Sequence, residues 1–173
     1  MNIFLGEKSS ELLKDEAALK EKVAKFLGAS DGDENVAIML NLLKQGQVQE
    51  KVLAYDFMQL PFNWVAGIFT GYAFVYRRLW MAWLISIAYS MVIAMFSFTV
   101  ILSILIFCAS IFVFGKFHYY FLLKKFVNKL DLGINTDNLC APCVIGVVIL
   151  IVVQFFFVFL LFGFLAALLG SLF

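Results

Sequence analysis

The stretch that decides the fold is LWMAWLISIAYSMVIAMFSFTVILSILIFCASIFVFG, residues 79–115, in which 37 consecutive residues carry no charge. A single helix of that length would be roughly 55 Å long, whereas the hydrocarbon core of a bilayer is about 30 Å thick. Two helices of about 18 residues each fit that thickness, with a turn near residues 97–99. The sequence therefore predicts a transmembrane helical hairpin over residues 79–115.

The composition of the whole chain also indicates a membrane protein. Of the 173 residues, 64% are hydrophobic, 21 are Phe and only 14% are charged. A broader apolar class makes up about 45–50% of an ordinary soluble domain. The sequence contains no pattern typical of a Ser-His-Asp catalytic set, no phosphate-binding Gly loop and no paired intramembrane carboxylates. We expect an all-α, polytopic helical membrane protein that is not an enzyme and binds no cofactor.

The charges divide the chain into an acidic head and a basic remainder. Residues 1–60 hold seven Lys and ten Asp or Glu, a net charge of −3, while residues 61–173 have a net charge of +4. The first residues lack the basic start and apolar run of a secretory signal. We expect the head, residues 1–60, to be cytoplasmic and to dock a protein partner, and we expect no nucleic-acid partner.

The head is predicted to be a bundle of three short helices. Capping residues and apolar spacing place these helices at about residues 10–27, 33–44 and 47–60. About 60 residues bury little surface, so the head is expected to rest on the membrane part or on a second subunit.

Basic residues flank the uncharged stretch on both sides. Because basic residues favour the cytoplasmic side of a membrane, both ends of the hairpin are expected there. We interpret residues 116–143 as a basic cytoplasmic amphipathic helix, lying on anionic lipid, followed by a loop. The six residues predicted to contact lipid headgroups are Arg77, Arg78, Lys116, Lys124, Lys125 and Lys129.

Two further apolar segments complete the predicted topology. Residues 61–78 are aromatic but slightly short for a crossing, so they are expected to be interfacial or re-entrant. Residues 144–173 are expected to cross once, with two half-helices broken near Gly163 as the alternative. An odd number of crossings puts the two termini on opposite sides of the cytoplasmic (inner) membrane of the cell. With the N-terminus in the cytoplasm, the C-terminus is expected outside.

Cys140-Ala-Pro-Cys143 is the spacing that suggests chemistry, because two thiols two residues apart can hold a metal or cycle as a dithiol. A zinc site needs four ligands, and His118 is the single His of the chain. We favour the interpretation in which Pro142 lies in the first turn of a helix and both cysteines fill space. No metal is then expected, and His118 is a polar anchor at the membrane interface.

Small residues recur four positions apart, a spacing that lets helix backbones approach closely in lipid. Three or four helices rarely use all such faces within one chain, so we expect a homo-oligomer. Its predicted interface consists of Gly67 and Gly71 and of Gly163, Ala166, Ala167 and Gly170.

Three short motifs connect this chain with a known family. They are Pro61-Phe-Asn-Trp64, Tyr76-Arg-Arg-Leu-Trp80 and Gly115-Lys-Phe-His-Tyr-Tyr120. Over roughly residues 61–130 the chain resembles the HrgC-like family of uncharacterised small bacterial membrane proteins. The resemblance implies a bacterial inner-membrane protein and brings no activity with it.

The sequence thus predicts a non-enzymatic integral membrane protein that self-associates and docks a partner through its head. One alternative is an oligomeric pore or membrane-perturbing effector, in which Phe side chains and Ser86, Ser90, Ser97, Thr99 or Gln154 line a hydrophobic gate. A second alternative is a thiol redox or metal-binding protein that uses Cys140 and Cys143.

Overall fold

The computed structural model describes residues 2–45, 47–49, 52–96 and 100–170. Most of these residues are helical, which confirms the predominantly helical fold predicted from the sequence. The elements in chain order are β1 (Asn2–Phe4), α1 (Glu7–Leu12), α2 (Glu16–Leu27), α3 (Glu34–Gln45), β2 (Gln47–Gln49), β3 (Val52–Ala54), a 3-10 turn (Phe57–Gln59), α4 (Trp64–Ile68), α5 (Thr70–Tyr76), α6 (Trp80–Phe96), α7 (Val100–Asp131) and α8 (Val144–Gly170).

Two helices are long and apolar enough to cross a membrane, namely α7 and residues Val144–Phe164 of α8. The other helix of the predicted hairpin, α6, is apolar but shorter, with 17 residues. Since α6 ends at Phe96 and α7 begins at Val100, residues 79–115 are divided into two helices as predicted. The predicted turn at residues 97–99 lies outside the described residues.

The structure corrects the prediction for residues 116–143. They do not form a separate helix, because α7 continues without a break from Val100 to Asp131. Its 32 residues span roughly 48 Å at about 1.5 Å per residue, which exceeds the thickness of a hydrocarbon core. The apolar side chains of its second half, such as Leu122 and Phe126, are buried against the head instead of facing lipid.

The C-terminal segment is one helix. α8 passes Gly163 without interruption, so the alternative of two half-helices is wrong. Near its start, Gly146 lies against Val75 of α5, where a Cβ on Gly146 would be 3.1 Å from Val75 Cγ1. From residue 151 onward every described side chain of α8 is exposed, and Gln154 Oε1 accepts a hydrogen bond from the Tyr72 hydroxyl of α5.

The predicted helix over residues 10–27 is in fact two helices, α1 and α2, separated at Asp15. The backbone of Asp15 is extended, and its Oδ1 accepts hydrogen bonds from the N–H groups of Ala17 (3.0 Å) and Ala18 (3.1 Å). Asp is a preferred N-cap residue, because its carboxylate satisfies N–H groups that the first helical turn leaves unpaired. The continuous helical pattern of the sequence concealed this cap.

The predicted helix over residues 47–60 is wrong. Residues in this range form β2, β3 and a 3-10 turn, and β1 joins them in an antiparallel sheet with the order β1-β3-β2. Ile3 pairs with Leu53, so one strand comes from the start of the chain. Leu53 and Tyr55 are buried and Ala54 is exposed, the alternation that one covered sheet face produces. The distant partner strand explains why the local sequence did not reveal the sheet.

The head and the second half of α7 share one hydrophobic core. The rings of Phe26 from α2 and Phe126 from α7 meet edge to face, with centroids 5.1 Å apart. Leu122 and Leu123 of α7 are fully buried in the same cluster as Val23 and Leu53 of the head. Of the two supports expected for the head, the structure shows one within the chain, namely the second half of α7.

Asp131, the last residue of α7, fastens α1 to this core. Its carboxylate accepts hydrogen bonds from the N–H groups of Gly6 (2.7 Å) and Ser9 (2.9 Å) and from Ser9 Oγ (2.9 Å). α1 has no side-chain cap of its own. Asp131 thus supplies the missing N-terminal cap from 122 residues away along the chain, and its negative charge suits the positive end of the helix dipole.

We predict that Asp131→Ala loosens α1 selectively. Hydrogen bonds to a charged group contribute about 2 kcal/mol, so amide hydrogen exchange in α1 should accelerate by about 30-fold. The matched control is Asp137→Ala, which removes an exposed ion pair with Lys22 (3.2 Å) and should change exchange by less than about fivefold. Equal effects of the two variants would contradict the capping role of Asp131.

Candidate anionic headgroup site

A cavity of about 400 Å³ lies where α6 begins beside the second half of α7, and we call it the basic groove. Four of the six residues predicted to contact lipid headgroups meet there. The lining consists of the basic residues Arg78, Lys124, Lys125 and Lys129, of Asn128, and of the apolar residues Leu79, Trp80, Met81, Ala82, Ile85 and Phe121.

The position of Arg78 results from the way in which α5 ends. The N–H of Leu79 donates to the Phe74 carbonyl (2.7 Å) and the N–H of Arg78 donates to the Val75 carbonyl (3.0 Å). This pattern closes a helix with a left-handed residue, and Arg78 has a φ of 55° at the position that Gly usually occupies. A left-handed backbone costs a residue with a Cβ roughly 1–2 kcal/mol. That cost points to a role for the Arg78 side chain.

Lys125 fixes the geometry of the groove. Its Nζ donates to the carbonyls of Arg78 (2.9 Å) and Leu139 (3.2 Å), and so joins α7 to the end of α5 and to the loop before α8. Lys124 has its Nζ 6.0 Å from the centre of the Tyr120 ring. Neither Lys124 nor Lys129 makes a hydrogen bond or ion pair within the described part of the chain. Their ammonium groups are therefore available to an anion.

The electrostatic potential in the groove is positive, because four basic residues and no acidic residue are among the described residues that line it. Two acids follow in the chain, but both face the head. Asp131 caps α1, and Asp137 pairs with Lys22. Unpaired cations gathered in one cavity attract anions over about 10 Å at moderate ionic strength.

The apolar side of the groove continues along the first turns of α6. Trp80 is 51% exposed and Met81 72% exposed, and Ile85 follows one turn later. A tryptophan ring with a polar N–H suits the headgroup depth of a bilayer. The groove therefore combines cations for an oxyanion with an apolar surface for an attached hydrocarbon chain.

The remaining two predicted headgroup residues lie elsewhere. Arg77 donates from Nη1 to the carbonyls of Leu27 (3.3 Å) and Cys140 (3.4 Å), between the head and the loop before α8. Lys116 donates to the carbonyls of Met58 (2.8 Å) and Leu60, so it ties α7 to the segment that leaves the head. Both basic residues serve contacts within the chain.

The Cys140-Ala-Pro-Cys143 segment is a junction between the head and the helices. The N–H of Cys140 donates to the Phe26 carbonyl (2.9 Å), and the N–H of Cys143 donates to the Tyr76 carbonyl (2.8 Å). Ala141 lies so close to Gly28, at the end of α2, that a Cβ there would be 2.6 Å from its methyl group. The small residues of this segment thus permit two backbones to approach closely.

His118 is not the interfacial anchor that the sequence predicts. Its side chain is only 3% exposed, and its ring stacks on Phe74 with centroids 6.1 Å apart. Its Nδ1 has no hydrogen-bond partner in the described part of the chain. No three His, Cys, Asp or Glu side chains among the described residues lie close enough together to hold a metal ion. Cys140, Cys143 and His118 are therefore not assembled into a ligand set.

The small residues of the predicted oligomer interface occupy different surroundings. Gly67 packs within the chain, since a Cβ on it would be 2.7 Å from the Ile111 carbonyl oxygen of α7. Gly71 faces Trp83 at an ordinary 3.8 Å. Gly163 has open space around it. Ala166, Ala167 and Gly170 lie on the last turns of α8, where the structure describes the backbone alone.

Of the residues that suggested a pore, Ser86 and Ser90 bond to their own helix, and Gln154 accepts a hydrogen bond from the Tyr72 hydroxyl. Ser97 and Thr99 lie outside the described residues. Ser86 Oγ donates to the Trp83 carbonyl (2.7 Å), and Ser90 Oγ donates to the Ser86 carbonyl (2.8 Å). These residues border a cavity of about 830 Å³ between α6, α7 and the two short helices α4 and α5. Bonding to a backbone carbonyl is the common arrangement of Ser in apolar surroundings.

Sequence reasoning identified the cations of the groove but not their arrangement. The four basic residues come from positions 78 and 124–129, and only the antiparallel placement of α6 beside α7 brings them together. The doublet of Arg77 and Arg78 gave no indication that its members face different cavities.

Comparisons of the chain with protein-family models, with curated proteins and with solved structures gave no match in any of the three.

The burial of Cys140 leads to a prediction about thiol reactivity. Burial raises the pKa of the Cys140 thiol above its ordinary value, and the charge of nearby Lys125 opposes this effect only in part. In the Cys108→Ser, Cys143→Ser variant we expect Cys140 to react with iodoacetamide more slowly than Cys143 reacts in the Cys108→Ser, Cys140→Ser variant. The thiolate is the nucleophile, so the rate for Cys140 should still rise above pH 9. Rapid modification of Cys140 at pH 7 would contradict its place at the junction.

Proposed function

We propose that this protein is a non-enzymatic integral membrane protein that binds anionic phospholipid headgroups in the basic groove. The observation that carries the proposal is the convergence of Arg78, Lys124, Lys125 and Lys129 on one apolar cavity. Lipid binding at this position holds the acidic head against the membrane surface, where the head docks a protein partner.

The proposed topology has three crossings. α6, α7 and α8 cross the membrane, and the head lies on the cytoplasmic side of the cell inner membrane. The support is the clustering of every basic residue after residue 60 at one end of these helices, together with the rule that basic residues favour the cytoplasm. α4 and α5 are each too short to cross and are placed by this proposal at the interface.

The groove suits a lipid phosphate for two physical reasons. Basic residues near a membrane surface contribute about 1 kcal/mol each to the binding of anionic lipid. The exposed apolar wall at Trp80 and Met81 offers an acyl chain a surface directly below the cations. A soluble anion would use the first of these contributions only.

The proposed partner of the head is a protein with a basic surface. Glu7, Glu11 and Asp31 are exposed and make no ion pair within the described part of the chain. Charges of this kind increase the rate of encounter with a partner of opposite charge.

We also propose that the chain self-associates through α8. The described side chains of its outer part are exposed, and Gly163 leaves room for a neighbouring backbone. Small residues of α8 then allow the close helix packing that stabilises association in lipid. Gly67 is already in contact with α7, which leaves α8 as the favoured interface.

We predict that the double variant Lys124→Gln, Lys129→Gln binds phosphatidylglycerol about 30-fold more weakly, because two headgroup interactions of about 1 kcal/mol are removed. Binding would be measured with the purified protein in a neutral detergent, with phosphatidylcholine as the uncharged comparison. The matched control is Lys14→Gln, Lys20→Gln, which removes two exposed charges from the head and should leave lipid affinity unchanged. Equal affinity of the wild type for both lipids, or equal losses in both double variants, would refute the proposed site.

For self-association we predict that Gly163→Leu lowers the mass of the detergent-solubilised complex to that of one chain. The added side chain separates the backbones, while leucine still favours insertion by about 0.5 kcal/mol at a helix centre. Val158→Leu, on an exposed part of the same helix, is the control and should keep the oligomer. An unchanged mass for Gly163→Leu would place the interface on another surface.

A further inference from the structure

A third cavity, of about 410 Å³, lies between the head and the helices, and we call it the junction cavity. It shares no lining residue with the basic groove. Asn35 reaches it from the head, Arg77 from the end of α5, His118 from α7 and Val147 from α8. The cavity therefore exists only where the head is docked on the helices.

The imidazole of His118 lines this cavity and carries a buried nitrogen without a hydrogen-bond partner in the described part of the chain. The side chain is 3% exposed, and its Nδ1 has no hydrogen-bond partner among the described residues. A buried polar atom without a partner costs about 1–3 kcal/mol, so such atoms are rare unless a ligand or water completes them. Stacking on Phe74 and an edge contact with Tyr119 keep the ring in place beside the cavity.

Arg77 is the one cation among the described residues that line the junction cavity. Both of its hydrogen bonds leave from Nη1 and are long, at 3.3 and 3.4 Å. Nη2 and Nε have no partner within the described part of the chain. A guanidinium group presents parallel N–H donors that match the two oxygens of a carboxylate.

Asp33, an acid close to this region, is already engaged. The Oδ1 of Asp33 accepts hydrogen bonds from the N–H (2.7 Å) and Nδ2 (2.9 Å) of Asn35, which hold the pKa of the Asp33 carboxyl below its usual range. Asn35 Oδ1 in turn accepts from the Tyr119 hydroxyl (3.0 Å). Asp33 does not line the cavity, although the charge of Arg77 also helps to lower the pKa of its carboxyl.

The other wall of the junction cavity is apolar. Val65 and Phe69 of α4 and the following segment are 63% and 55% exposed, and Val147 of α8 faces them across the cavity lining. One cation at one end and exposed hydrocarbon at the other match a molecule with a single oxyanion and a single chain. A volume of this size suits a small ligand.

We propose that the junction cavity binds a single-chain carboxylate amphiphile, with its carboxylate on Arg77 and His118 and its chain along Val65, Phe69 and Val147. The shared chemistry is the carboxylate, whose source is either a fatty acid of the bilayer or a small soluble carboxylate. The contact with exposed apolar residues favours the fatty acid. This site is independent of the basic groove and of the phospholipid bound there.

The test uses the full chain in a neutral maltoside detergent with dodecanoate, acetate and dodecanol as separate probes. His118 is the single His of the chain, so its imidazole nitrogen resonances report on this cavity alone. Dodecanoate should shift these resonances in a saturable way, while dodecanol should not. Saturation by acetate at the same concentration would assign the site to soluble carboxylates and overturn the amphiphile. No shift with dodecanoate would overturn the site itself.

The neighbouring arginine provides a matched control. Arg77→Gln keeps an amide donor for the carbonyls of Leu27 and Cys140 but removes the charge, and should weaken dodecanoate binding by about 30-fold. Arg78→Gln removes the same charge one residue away, from the basic groove, and should leave dodecanoate affinity unchanged. Equal affinities of Arg77→Gln and the wild type would refute the proposal. Lys124→Gln, Lys129→Gln should likewise keep dodecanoate binding, so failure of the phospholipid site is distinguishable from failure of this one.

Discussion

The continuity of α7 is the constraint on which the rest of the structure depends. One helix of 32 residues has an uncharged first half that is exposed and apolar, and a second half whose apolar face forms part of the head core. A helix resists bending unless a proline, a glycine pair or a bulge interrupts it, and α7 contains none of these in its second half. Because α7 is continuous, the face that its second half turns toward the head fixes the orientation of the head relative to the first half of α7.

Contacts at both ends of the head strengthen this shared core. Asp131 caps α1 at the end of α7, while the Cys140-Ala-Pro-Cys143 segment lies against the end of α2. These interactions join residues that are more than a hundred positions apart in the chain. Such contacts form only after the local helices are in place, since closing a long loop costs entropy before the contact is made. The head thus gains stability from the helices that it could not obtain from its own small core.

The basic groove and the junction cavity lie on either side of the end of α5, because Arg78 lines the first and Arg77 lines the second. Arg77 donates to the carbonyls of Leu27 and Cys140, between the head and the loop before α8. Arg78 adopts a left-handed backbone and lines the basic groove, where it also donates from Nη1 to the Asn138 carbonyl of that loop (3.4 Å). Adjacent residues of like charge therefore serve different surroundings. Under the functions proposed above, Arg78 would bind a phospholipid headgroup in the basic groove, and Arg77 would bind a carboxylate in the junction cavity.

The sequence by itself determined the apolar helices, the division of residues 79–115 and the cations of the groove, because uncharged length and charge position are properties of the chain alone. Tertiary structure decided what no local pattern contains. β1 pairs with β3 across some fifty residues, so residues 47–60 are not the predicted helix. The apolar face of α7 after residue 115 meets the head, where the same amphipathic pattern predicted lipid. A hydrophobic stripe on a helix must be buried, but its sequence does not specify which surface buries it. The packing of the whole chain determines that surface.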